Sequence, residues 1–219
     1  MKPFPDRREA GRQLAAELTE YAHRSDVIVM AIPRGGVPVA FEVARALGAP
    51  LDVLLVRTVW APGYDDIHIG TIADGGFGVL EPGAVDARVD PAIVGREMMR
   101  ARADLVQQLR IYRGTRAAPT LAGKTVIIVY DGIVSGASMR AAIAAVRARG
   151  AARIVVAAPV AAPNAASELA AMADECVCVA TPEPFYRIAV WYDEFAPVTD
   201  ASVLFLLDRA AMAAAGTAA

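Results

Sequence analysis

The sequence predicts an α/β protein built on a parallel sheet, and three observations carry that expectation. Residues 27–32, 37–47 and 51–56 read as strand, helix and strand with short joints, a βαβ unit whose two strands lie parallel. Residues 126–129 are a further apolar, β-branched run, suited to a strand buried on both faces. That run leads into a loop of small residues and an Ala- and Arg-rich helix, and the alternation then repeats through 154–158, 164–173 and 175–180. At 219 residues the chain accommodates one such domain with a small appendage and a full hydrophobic core.

The elements follow in order. Residues 6–24 form an amphipathic helix, with Asp6 and Glu9 at capping-box spacing and Ala10, Leu14, Ala15 and Leu18 on one face. The helix over 37–47 tolerates Pro38 in its first turn and stops at Gly48. Residues 60–80, rich in Gly and Asp, break the pattern. A strand-like stretch at 67–73 and turn signals at Gly75 and Gly76 predict a flexible β-ribbon over about 59–80, a candidate lid. A long charged helix over 91–113 and a connector over 114–123 lead to the second half. Thr181, Pro182, Glu183 and Pro184 end the alternation. A last helix over 201–212 and a frayed tail over 213–219 complete a single domain spanning 1–212.

Composition narrows the function classes. The formal net charge of −2 and a pI of about 5.7 give no nucleic-acid footprint, since such proteins are usually basic. The 56% hydrophobic content and mean hydropathy of +0.39 are high, but they come from Ala and Val in short runs. The longest, 154–163, falls short of the roughly 18–20 apolar residues of a membrane helix, and the N-terminus has no apolar signal core. The expectation is a cytoplasmic protein without membrane or nucleic-acid partners. Cys176 and Cys178 share a strand face, are poor disulfide partners for each other, and lie far in sequence from His23 and His68. They read as buried small hydrophobes rather than a metal or redox site.

Two loops carry the chemistry. Asp131 stands at the end of the strand over 126–129, and Gly132, Ile133, Val134, Ser135, Gly136, Ala137 and Ser138 then turn into the helix with little side-chain bulk. Such a turn aims several backbone N–H groups and a positive helix end at one point, which suits a phosphate. Ser135 and Ser138 line it, and Asp131 sits where a sugar hydroxyl or a metal could be held. The second loop, Pro33, Arg34, Gly35 and Gly36, lies at the carboxyl end of the first strand and so faces the same crevice. The two glycines permit close backbone approaches, and Arg34 offers a fork for phosphate oxygens; the alternative is an ordinary turn with a surface arginine.

The loop over 131–138 resembles the phosphoribosyl-pyrophosphate (PRPP) motif of type I phosphoribosyltransferases, and the loop over 33–36 resembles the pyrophosphate loop of that family. The match is closest to a bacterial subgroup sharing a Pro-Arg-Gly-Gly-Val-Pro-Val-Ala stretch, here at 33–40, and a Pro-Glu-Pro-Phe…Trp-Tyr ending. The resemblance implies a parallel sheet flanked by helices, a lid ribbon and a small C-terminal hood at about 181–197. It implies transfer of 5-phosphoribose from PRPP, with Mg²⁺, to a nucleobase-like nitrogen acceptor, and a homodimer. It places the 5′-phosphate and ribose on Asp131 to Ser138, with Asp131 also addressing the metal. Pyrophosphate falls to Pro33, Arg34, Gly35, Gly36 and Arg57, with a non-proline cis peptide at Arg34–Gly35. Arg57 also reads as a plain strand-end arginine.

Phe185, Trp191, Tyr192 and Asp193 resemble a base-stacking hood, or else pack that hood onto the core. Asp65, Asp66 and Asp74 could approach a metal or the acceptor, though acidic residues in such a ribbon are more often solvated. Two positions depart from the family pattern: Tyr130 stands in place of an acidic residue, and Thr58 in place of a lysine. Val134 stands where some purine enzymes carry an acid. These departures leave a second reading open, a non-catalytic protein on the same fold that binds PRPP or a 5′-nucleotide.

Overall fold

The structure, a computed structural model, describes residues 3–63, 67–80 and 89–216. Its centre is a parallel sheet of β1 (Val27–Ala31), β2 (Leu51–Val53), β6 (Thr125–Val129), β7 (Arg153–Val160) and β8 (Glu175–Ala180), ordered β2-β1-β6-β7-β8. Between β2 and β6 in sequence lie β3 (Val56–Trp60), β4 (His68–Ala73) and β5 (Gly78–Leu80), a separate antiparallel sheet. The helices are α1 (Arg7–Ala16), α2 (Gly36–Leu47), α3 (Pro91–Arg113), α4 (Ala137–Ala148), α5 (Pro163–Met172) and α6 (Asp200–Gly216).

These strands, almost wholly apolar and rich in β-branched residues, bury both faces; every residue of β1 and β6 is buried. On one face β1 and β6 pack through Val27, Val29, Ala31, Ile127 and Val129 with Leu14 of α1, Val43 of α2, Leu105 of α3 and Leu206 of α6. On the other, Ile28, Met30, Val126 and Ile128 meet Ile143 of α4 and Leu169 of α5. Strand order reverses between β1 and β6, where Ala31 pairs with Val129. The loops after these two strands therefore leave side by side, at the point where open parallel sheets place their ligands. The Ile32 N–H donates to Val129 O at 2.9 Å and ties the two exits together.

Three element boundaries differ from the sequence expectation by three residues or more. Helix α1 is capped by Asp6, whose side chain accepts from the Glu9 N–H, but it ends at Ala16 and gives way to a short 3-10 turn at Thr19–Tyr21. Burial of Leu18 and Tyr21, with the Tyr21 hydroxyl donating to Glu175, sets that break. The strand expected over 51–56 stops at Val53, and Val56 already belongs to the antiparallel sheet. The last helix runs to Gly216, past the expected end at 212. By contrast α3 and β8 have the bounds read from sequence, and Gly48 ends α2 with φ 64°, a left-handed conformation that glycine accepts readily.

The ribbon lies packed against α3 and α4. Ala73 meets Ala141 and Ala145 of α4, while Ile69 and Ile72 join the core. Asp74, expected to be solvated or near a ligand, is buried and ion-paired with Arg113 at 3.2 Å and Arg149 at 3.5 Å. Burial is the larger influence on Arg149, pulling its pKa down against the raising effect of Asp74. The body of the ribbon is thus anchored. Asp65 and Asp66 lie outside the described residues.

Candidate functional site

The loop after β6 shapes a pocket of about 160 Å³ lined by Tyr130, Gly132 to Met139 and Ile188. Gly136 has φ 72°, so the chain can turn into α4 with its leading amides facing the cavity. The N–H groups of Val134, Ser135 and Gly136 have no hydrogen-bond partner among the described residues, and the Ala137 N–H has only a 3.5 Å contact with Ser135 Oγ. Open amides at the start of a twelve-residue helix give a polarised concavity for an anion. Val134 is 44% exposed and brings no acid. The residues expected here, Gly132 through Ser138, are all brought to this pocket.

The loop after β1 lies alongside. Its cis peptide bond is Pro33–Arg34, one bond earlier than the Arg34–Gly35 position implied by the resemblance. A Cβ on Gly36 would stand 2.9 Å from Val129 O and 3.1 Å from Tyr130 Cα, so the two loops touch through bare backbone. Arg34 is half-exposed and lies 3.8 Å from Asp200, the first residue of α6. Asp200 also accepts from the Tyr112 hydroxyl, whose pKa is pushed up to about 12 by burial and then by this carboxylate. Asp200 therefore competes with any anion for Arg34. Because exposed ion pairs are worth only ~0–1 kcal/mol, Asp200→Asn should tighten pyrophosphate binding by about two- to fivefold, measured by calorimetry. No gain, or a loss, would exclude this competition.

Asp131 is where the structure departs most from expectation. Its side chain is 6% exposed and packs against Arg7 and the loop over 33–36 rather than lining this pocket. Oδ2 accepts from Arg7 Nε at 2.8 Å, and a Cβ on Gly35 would lie 2.6 Å from Cγ. Arg7 has further partners: Nη1 donates to Ala196 O at 2.9 Å and the guanidinium lies 3.7 Å from the Phe195 ring centroid. Burial raises the Asp131 pKa, and Arg7 offsets part of that rise.

The carboxylate thus joins the N-terminal helix, the loop over 33–36 and the C-terminal segment. It does not fit the expected metal ligand, and no group of three or more His, Cys, Asp or Glu able to hold a metal occurs among the described residues.

The aromatic segment packs on Phe4, Ala10 and Val160. Tyr192 is 5% exposed, tilts against Phe4 and Phe195, and donates its hydroxyl to Asp131 O; burial and then the Asp131 charge push its pKa up. Phe185 stacks on Trp191 at 6.2 Å, and the exposed Asp193 donates its N–H to Phe4 O. None of these four lines the phosphate-loop pocket; Ile188 does, and a Cβ on Gly132 would lie 2.6 Å from it. Arg57 lies in the antiparallel sheet, paired with Asp104 at 2.6 Å beside a separate 220 Å³ pocket that also contains Thr58.

Sequence reading missed Arg7, Ile188 and Asp200. Arg7 carried one signal: a cation in the first turn opposes the helix dipole and so calls for a specific partner.

A parallel sheet with both anion-shaped loops at its switch point defines a class, and the comparisons agree with it. The chain belongs to the phosphoribosyl transferase domain family, whose model matches residues 4–191. It is 39% identical over 211 residues, 96% of its length, to the Mycobacterium tuberculosis (strain ATCC 25618 / H37Rv) protein named "Putative phosphoribosyl transferase Rv0571c". That match covers 47% of the mycobacterial protein, so the chain spans about half the length of the curated relatives it matches. Among solved structures it is similar to TT1426 from Thermus thermophilus, with a TM-score of 0.80 and 42% identity, covering 94% of this chain and 98% of that one.

Proposed function

We propose that the chain transfers a 5-phosphoribosyl group from PRPP to a nucleobase-like nitrogen acceptor. One observation carries this reading beyond family membership: the open amides over 134–136 and the Arg34 loop stand side by side at the sheet's switch point, offering two anion sites to one ligand. In the reaction the acceptor nitrogen forms a bond to ribose C1 and the C1–O bond to pyrophosphate breaks. Pyrophosphate leaves with the electron pair, and the acceptor nitrogen loses its proton to solvent. Arg34 neutralises the leaving group, the residues over 132–138 hold the 5′-phosphate, and binding at both ends holds the sugar in line. When bound with PRPP, Mg²⁺ would screen the pyrophosphate charge.

A second reading, a nucleotide- or PRPP-binding regulator on the same fold, is favoured by Tyr130 in the pocket and by Asp131 being engaged with Arg7. Calorimetry with PRPP, with and without Mg²⁺, and with AMP or GMP separates the two, alongside a pyrophosphate-release assay over a panel of bases. Mg²⁺-dependent PRPP binding with pyrophosphate release is expected. Binding of AMP or GMP with no response to PRPP would make the regulator the correct reading.

A further inference from the structure

Tyr130 lines the pocket, yet the proposed transfer gives it no role. The residue packs with the sheet face covered by α4 and α5, and it contributes to the pocket wall together with Ile188. Its Cδ2 atom lies 3.4 Å from where a Cβ on Gly36 would stand. Tyr130 thus touches the loop over 33–36 and also contributes to the phosphate pocket, so it stands between the two proposed anion sites. Recognising a vicinal diol takes two well-placed acceptors, which a carboxylate supplies through its pair of oxygens and a neutral phenol does not. The adjacent carboxylate, Asp131, faces Arg7 and Gly35, and no acidic side chain among the described residues lines the pocket.

We infer that this site takes 5′-phosphate esters without reading the ribose 2′,3′-diol, and that Tyr130 sets this tolerance by presenting a ring where a diol-binding carboxylate would be needed. The inference rests on the phosphate role given above to residues 132–138. Deoxyribose and ribose 5′-phosphates are then near-equivalent ligands, held by the phosphate and by the apolar wall of Tyr130 and Ile188.

The test is calorimetric titration of the full chain with inorganic phosphate, AMP and 2′,3′-dideoxy-AMP. Wild type should bind the two nucleotides within about threefold of each other, because no charged acceptor bond to the diol is lost; one such bond is worth roughly tenfold or more. Tyr130→Asp should create a preference for AMP of about tenfold. Tyr130→Phe, which keeps the ring, should leave the near-equality of wild type, and it serves if the aspartate variant fails to fold. A clear wild-type preference for AMP over the dideoxy analogue, with phosphate binding intact, overturns the inference and leaves the phosphate site standing. Failure of phosphate and both nucleotides to bind overturns both.

Discussion

Arg7→Met should destabilise the protein by about 3–5 kcal/mol near neutral pH, the largest single-residue loss expected in this chain. The magnitude is that of removing one partner from a buried ion pair and leaving the other charge uncompensated. The Arg7 and Asp131 side chains are 11% and 6% exposed, so solvent screens the pair little. The loss should depend on pH. Burial already lifts the Asp131 pKa above that of the unfolded chain, and Arg7 opposes the rise. A group with a raised folded-state pKa contributes most to stability below its unfolded pKa, and that contribution disappears as pH rises through the folded pKa.

Without Arg7 the folded pKa rises further, so the variant is weakest at neutral and alkaline pH and recovers as acid protonates Asp131. Urea unfolding at pH 7.5 and pH 5 checks this: the gap from wild type should narrow at the lower pH. Asp131→Asn in the Arg7→Met background should restore part of the loss at pH 7.5. A gap below about 1 kcal/mol at both pH values would show that Asp131 carries no uncompensated charge once Arg7 is gone.

Gly35→Ala should be nearly as damaging, with about 3 kcal/mol lost and anion binding at the loop over 33–36 reduced. The added methyl would occupy the space of the Asp131 carboxylate, which Arg7 holds in place. Inserting even one methyl into a filled site forces side chains and backbone to shift, at ~1–3 kcal/mol, and here the displaced group is a buried charge. Because the collision is with one side chain, the two positions must be coupled. In an Asp131→Ala background the same substitution should cost at least about 1 kcal/mol less, read from a double-mutant cycle in urea. Strict additivity would place the clash elsewhere and remove the proposed junction between the two loops.

Much of the architecture is legible in the sequence because it follows local rules. Runs rich in β-branched residues at 27–31 and 125–129 favour strands buried on both faces, and the helices between them favour parallel pairing. Small residues after β6 and β1 mark the two loops, and the switch-point rule puts them side by side. Gly132 through Ser138 consequently emerge together in one pocket. Arg57 does not join them, because the strand that should have delivered it ends three residues early, at Val53 against the expected Val56.

Where side chains point at the site follows no local pattern. Asp131 reads as a free carboxylate from its position at a strand end, yet its partner Arg7 lies 124 residues away in sequence. Their meeting depends on how α1 packs on β7 and β8 and on Phe195 and Ala196 returning to cover the guanidinium. Hydrophobic periodicity specifies which face of an element is buried. Which charge finds which, and whether Tyr130 or Asp131 meets a ligand, is set by the packing of segments distant in the chain, because only there do burial and charge act on the same atoms.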